Sequence, residues 1–382
     1  MGLERILPFL LVFSLFLPIA DHGYAFVFLF NWLIFLVYVV ARAKQLRKKF
    51  IIITLFALIT WSLFSILASA NLLENIWDLR EFIRVPLTII VLFYYSENEG
   101  FPADRLLKYF ALFILLDFIL LYAFSDSNVS KKLLQSVAMS GMADYLDDYW
   151  RYIGLGGNPN LSALIYSIFI IISLHVLTAQ KLYRDITGPN RLFLYIACGI
   201  ALFLLIITFS RTGIVALGAS LLFFFTRPKY AALVFLGVCV LGIYFAFFLD
   251  FDIYDKLIYR FSSFTSMESR ISHWELLFSN YSLVQLVFGS KFYVSVIDND
   301  YIYFIYRFGI FLGALLLLAP LFPLIKIREK NIRYMYFNLV IFFYISAFPG
   351  GSLSHPKTYF FLLAFGSMLS TNNKIKRIRE FN

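Results

Sequence analysis

The chain has 382 residues, of which 61% are hydrophobic and only 15% charged. Soluble domains are nearer half apolar and a quarter charged, and no water-soluble fold could hide the surface of 46 Phe and 25 Tyr. The composition therefore predicts an all-α, polytopic transmembrane helical bundle, a single integral membrane domain over residues 1–382, and the net charge of +10 reads as a topology signal rather than nucleic-acid binding.

A membrane helix needs roughly 20 apolar residues. Runs of about that length predict about twelve spans, near 6–20, 24–41, 50–70, 83–95, 107–124, 159–178, 192–209, 212–226, 230–249, 300–320, 334–349 and 357–371. The first run imitates a signal peptide, but its immediate continuation into further spans predicts a retained helix. The turn ARAKQLRKK, Ala41 to Lys49, is strongly basic and so belongs on the cytoplasmic side. Counting outward from it places the turns at 181–191, 227–229 and 326–333 and the tail KIKRIRE on the same side, with both termini cytoplasmic. The cytoplasmic turns then carry 21 Lys+Arg against 7 Asp+Glu, a balance of +14, and the remainder carries 12 against 16, a balance of −4. Two larger outer loops follow from this count, 125–158 and 250–298. Within the second, Ile271, Trp274 and Phe278 recur at helical spacing, which predicts an amphipathic helix over Ser266–Phe288 with Arg270 and His273 one turn apart on its more polar side. That helix would lie at the outer surface or cap a cavity. Cys198 and Cys239 both fall in apolar runs and indicate neither a disulfide framework nor a metal site.

Arginines on the face opposite the basic turns need a reason, and three stand out: Arg151, Arg211 and Arg270. Arg211 is the only charge between Arg191 and Arg227. One continuous helix of those 35 or so residues would be about 52 Å long, and the hydrocarbon layer is only about 30 Å thick. The chain must turn, and Ser210-Arg211-Thr212-Gly213 is where a glycine suits it. Arg211 there either snorkels at a helix end or faces protein or a wet cavity. Arg151 precedes Gly156-Gly157-Asn158-Pro159-Asn160, a turn from which the next helix can start with its positive end beside Arg151. The stretch Ile297 to Ile302 sets Asp298, Asn299 and Asp300 at the outer mouth of a span, with Arg307 about two turns deeper. A carboxylate there suits general-base work, while helix capping accounts for one of the three. His355 lies in the last outer turn, as a ligand-binding residue or an ordinary loop histidine. Asp117 is an ionisable group inside the fifth span, with Arg307 as a conceivable partner. Arg80 and Arg84 share a helix face and suit structural pairing with Glu81 or Asp78.

Taken in order, R-x-x-G-x-x-x-N-P-N at Arg151–Asn160, S-R-T-G at Ser210–Gly213, R-x-x-x-W at Arg270–Trp274 and D-N-x-Y with a downstream glycine at Asp298–Gly309 resemble the O-antigen polymerase and O-antigen ligase family, over roughly residues 50–370. The resemblance implies an inner-membrane glycosyltransferase with a periplasmic site, acting on undecaprenyl-pyrophosphate-linked oligosaccharide without a nucleotide sugar, cofactor or metal. Ligases of the family carry His-Asn-x-x-Leu/Ile where this chain has Asp298 to Ile302, which favours the polymerase. Asp298 is then the first candidate base, with His355 and Glu268 behind it. Arg151, Arg211 and Arg270 would stabilise the departing pyrophosphate, and Asn158, Asn160, His273, Asn299, Tyr301 and His355 are candidate substrate-binding residues. A chain-length regulator and a flippase of the same pathway are the partners that the resemblance implies, besides the lipid bilayer; nucleic acid is not expected. The rival readings are an O-antigen ligase, differing in its acceptor, and a lipid-linked oligosaccharide flippase or transporter. Transporters place polar groups near the midplane in repeated halves; no repeat is visible here, and only Asp117 and Arg307 speak for transport.

Overall fold

The computed structural model of the chain describes residues 3–16, 103–123, 151–178, 191–222, 265–279, 281–289, 299–348, 352–355, 357–366 and 369. Asp298, Arg80, Arg84, the spans predicted near 24–41, 50–70, 83–95 and 230–249, the basic turn at 41–49 and the C-terminal tail lie outside the described residues. In chain order the helices are α1 (Leu3–Phe16), α2 (Ala103–Ala123), α3 (Pro159–Thr178), α4 (Arg191–Ile207), α5 (Arg211–Leu222), α6 (Thr265–Ser279), α7 (Leu283–Phe288), α8 (Asp300–Leu318), a 3-10 turn (Ala319–Leu321), α9 (Phe322–Lys326) and α10 (Lys330–Ala347). A further helix, α11, covers 357–366. The described residues are all-helical and contain no strand. Two stretches, Pro159–Thr178 and Asp300–Lys326, are long and apolar enough to cross a membrane by length and composition.

The central element is α3. Its start is written locally: the Asn158 side-chain oxygen accepts from the backbone N–H of Asn160 at 2.8 Å, and Pro159, in the first helical position, has no N–H to satisfy. Beyond the cap the sequence is apolar on every face, and the helix is buried almost all round, as a helix without a polar side must be. It packs against α1, α2, α4, α5 and α10. Helices α1 and α2 meet through aromatic rings at three- and four-residue spacing: Phe16 lies 5.7 Å from Phe110 and 5.2 Å from Phe113, and Phe9 lies 5.4 Å from Tyr109.

Contacts fix the direction of α10 relative to α3. Near the end of α3, His175 lies 3.1 Å from the Asn338 amide and its ring meets Tyr334 at 5.6 Å. Both partners belong to the first half of α10, so α10 runs back toward the start of α3. The C-terminal end of α10 is followed by the 352–355 turn, and that turn therefore shares an end with Asn158.

Two predicted elements differ from expectation. The amphipathic helix over Ser266–Phe288 is two helices, because Ser282 starts a new one with a capping box: its hydroxyl accepts from the Gln285 N–H at 3.2 Å, and the Gln285 side chain accepts from the Ser282 N–H at 2.9 Å. The tenth span, predicted as one rod over 300–320, is broken. Gly309 has φ 75 and ψ 170, a region open essentially to glycine alone. A Cβ on Gly313 would lie 2.5 Å from the Phe304 carbonyl oxygen, although nine residues of unbroken helix would separate the two by about 13.5 Å. The two legs of α8 thus fold toward each other. The end of α7 fills the bend, where Gly289 (φ 88) faces Gly309 backbone to backbone, and Tyr281 donates at 2.7 Å to the Tyr306 carbonyl beside the break.

Replacing Gly309 by Ala should lower stability by roughly 1–3 kcal/mol from backbone strain alone, with a further loss from collision with the Val287 carbonyl. Gly199→Ala, where an added Cβ meets nothing within 4 Å, should leave stability unchanged or raised. Thermal unfolding of the detergent-purified protein compares the two, and equal melting temperatures would contradict the break.

Candidate functional site

Arg151 joins two motifs that are far apart in sequence. Its Nε donates to the Thr208 carbonyl at 3.0 Å and its Nη2 to Asn160 Oδ1 at 3.1 Å. Ser210 donates to the same Asn160 oxygen at 3.0 Å, and the Tyr152 N–H donates to the Ile207 carbonyl at 3.0 Å. One amide oxygen thus holds both the Arg151–Asn160 segment and the Ser210–Gly213 segment. The guanidinium also satisfies a carbonyl at the C-terminal end of α4, where a cation is favoured.

The hairpin between α4 and α5 turns at Thr208-Phe209-Ser210, slightly before the turn expected at Ser210-Arg211-Thr212-Gly213. The positive φ that the turn needs falls on Phe209 (φ 49). Ser210 caps α5 by accepting from the Gly213 N–H at 3.4 Å. Gly213 is already helical, and its role is close approach: a Cβ there would sit 2.8 Å from the Ala163 Cβ. Arg211 is the first residue of α5 and is half-buried, whereas Arg151 is buried.

The 151–158 segment is fastened from behind by Asp117 on α2. The carboxylate accepts from Tyr152 and from Tyr166, both at 2.5 Å, and from the Leu155 N–H at 3.1 Å. These groups, rather than the conceivable partner Arg307, take up Asp117. Burial first, and the Asp117 carboxyl beside it, push the Tyr152 hydroxyl well above its ordinary pKa, so it stays a donor. Gly154 (φ 57) lies against Tyr166, Ser162 and Asp117, and no side chain fits at that position.

The third motif reaches the same end through the 352–355 turn. Asn299 is the N-cap of α8, accepting from the Ile302 N–H at 3.1 Å. Asp300 is buried and accepts from the Leu353 N–H at 2.6 Å and the Ser352 hydroxyl at 3.2 Å. Tyr301 donates to the Tyr344 carbonyl at 2.7 Å. The fourth segment joins through rings: Trp274 on α6 lies 6.3 Å from Phe348, just past α10, and Phe278 lies 6.4 Å from Tyr306. Arg270, half-buried, and His273, exposed, therefore ride on a helix docked at this end. His355 follows the turn that Asp300 holds. The described parts of all four motifs, and His355, converge on one end of the bundle.

Asn158, Asn160, Asn299 and Tyr301 all spend side-chain hydrogen bonds on the protein itself. The arrangement can concentrate positive potential: α3 and α5 both begin here, and helix N-termini favour anions, with Arg151 and Arg211 alongside. Missed in the sequence was Lys357, fully buried at the start of α11. Its signal was available, since it is a positive charge on the predicted outer side, the same anomaly that singled out the three arginines. Among the described residues no group of three or more His, Cys, Asp or Glu is placed to hold a metal ion. No protein-family model matches the chain, and no curated protein matches it.

Arg151→Lys should destabilise the bundle by about 1–3 kcal/mol, because an ammonium cannot reproduce the fork to Thr208 and Asn160 and leaves a buried acceptor unmet. Thermal unfolding measures this, and a melting temperature equal to wild type would show that the bridge carries no load.

Proposed function

We propose that this chain is a multi-pass protein of a bacterial inner membrane, with about twelve spans and cytoplasmic termini, that polymerises O-antigen or a related surface polysaccharide on the periplasmic face. The donor is the growing glycan on undecaprenyl pyrophosphate, and the acceptor is a single lipid-linked repeat unit. The observation that carries the proposal is the shared Asn160 oxygen, which ties Arg151 to Ser210 and so sets Arg211 beside the first motif. A lipid-linked glycan presents a pyrophosphate, and guanidinium groups with helix N-termini suit its charge.

In the proposed step the acceptor hydroxyl oxygen attacks the anomeric carbon of the donor. The carbon–oxygen bond to pyrophosphate breaks, and its electron pair leaves on undecaprenyl pyrophosphate. The hydroxyl proton passes to a base, for which Asp298 is the first candidate. In-line displacement inverts the anomeric configuration. Arg211 and Arg270 stabilise the charge developing on the leaving group. Arg151, committed to Thr208 and Asn160, supports the charge from within the bundle and keeps Arg211 in place. Stacking of sugar rings falls to outer aromatic side chains such as Trp274, which is partly exposed on α6.

A host deleted for this gene and complemented with variants tests the proposal on a lipopolysaccharide gel. The deletion should leave core plus one repeat unit, and Arg211→Ala should fail to restore long chains while the protein stays in the membrane. Normal long chains from Arg211→Ala would refute the assignment. Bare core with accumulated lipid-linked polymer in the deletion would mean ligation to lipid A–core instead.

A further inference from the structure

Helix α6 turns much of its apolar stripe inward. Trp274 packs on Phe348 and Phe278 on Tyr306, so the rings expected to face a surface dock the helix on the bundle instead. Its outward side chains are mixed, with Ser272, His273, Glu275 and Ser279 exposed beside Ile271 and Leu276. Helix α7 is the opposite case. No charge lies between Glu275 and Lys291, and on α7 Leu283 is 79% exposed, Val284 55% and Leu286 37%. Gln285, the one polar residue of this six-residue helix, spends its amide oxygen on the Ser282 N–H while its own N–H is taken by the Ser282 hydroxyl. A helix start that is capped from within suits hydrocarbon, where no water can do it.

The depth of α7 is set by α8. Gly289, directly after α7, meets Gly309 backbone to backbone, so α7 stays at the level of the break. The leg beyond the break runs from Ile310 to Lys326, with Phe311 72% exposed and Leu315 and Leu318 more than half exposed, as on a helix facing lipid. In the topology proposed above, Lys326 and Arg328 mark its cytoplasmic end, because charges are held out of hydrocarbon. The leg's roughly 17 residues reach about 25 Å, against a hydrocarbon layer of about 30 Å, and any tilt shortens the reach. Gly309 and the end of α7 therefore lie just inside the opposite edge of the hydrocarbon.

We propose that α7 is a membrane-dipping helix whose Leu283, Val284 and Leu286 contact the acyl chains of the outer leaflet. It adds a lipid contact that is not a span, and it holds the helix that carries Arg270 against the bilayer. The proposal rests on the membrane-embedded part of the reading above and is independent of the group transferred.

The test uses the full-length protein in phosphatidylethanolamine–phosphatidylglycerol nanodiscs, with Cys198 and Cys239 replaced and single spin-labelled cysteines introduced. Collision of each label with oxygen, which concentrates in lipid, is compared with collision with a water-soluble nickel chelate. Leu283→Cys and Leu286→Cys should favour oxygen as Phe311→Cys does, with an oxygen-to-nickel ratio several times that at Glu275→Cys. Should a label at Leu283 prevent accumulation, Val284→Cys takes its place. Leu283→Cys favouring nickel while Phe311→Cys favours oxygen would overturn this proposal alone. So would a Leu283→Cys label that neither reagent reaches, since another part of the chain or a second copy would then cover α7. Nickel favoured at Phe311→Cys as well would sink the membrane-embedded reading together with this one.

Discussion

Inside an apolar bundle, a helix that ends short of water leaves carbonyls that only the protein can satisfy. Helix α4 ends this way, and Arg151 answers the need by donating to Thr208 while its other nitrogen takes Asn160. The cost of leaving a buried acceptor unmet is about 1–3 kcal/mol, so the guanidinium fixes the geometry as well as filling space. Ser210 completes the arrangement from α5. Asp117 holds the loop from the far side through Tyr152, Tyr166 and Leu155. This bridge ties the starts of α3 and α5 to one oxygen, beside the close approach of Gly213 to Ala163.

The chemistry proposed for the site follows from that constraint. A pyrophosphate leaving group needs positive charge that is already in place, because reorganising dipoles during the reaction would cost what the site is meant to supply. Two helix starts and a half-buried arginine, set by hydrogen bonds rather than by flexible side chains, meet this condition. Helix α8 is broken at Gly309. Its first leg delivers Asp300 to the 352–354 turn, and its bend accepts α7, which follows the helix carrying Arg270.

Helix positions were legible in the sequence wherever the signal was local. The start of α3 at Pro159 follows from Asn158 and the proline, and the α4–α5 hairpin follows from the length of an apolar run. The turn falls a little before the expected Ser210–Gly213 stretch, and Phe209 adopts its positive φ. Hydropathy could not reveal the break at Gly309, since both legs of α8 are apolar and the run counts as one span. At the break Gly309 meets Gly289, twenty residues earlier, and no local rule connects the two. Asp117 was recognised as significant, but its tyrosine partners lie 35 and 49 residues away. Asp300 was grouped with Asp298 and Asn299 as a possible cap, and only the fold shows that Asn299 caps while Asp300 reaches the last turn.

The central claim is that the arginine-bearing segments share one outer end of the bundle. Single cysteines introduced as Arg211→Cys, His273→Cys and His355→Cys, with Cys198 and Cys239 replaced, can be probed in spheroplasts with a membrane-impermeant maleimide. Arg191→Cys and Arg328→Cys report the opposite end. The account predicts that the first three label in intact spheroplasts and that the last two label only after permeabilisation. Labelling of Arg211→Cys and His355→Cys from opposite sides would contradict it.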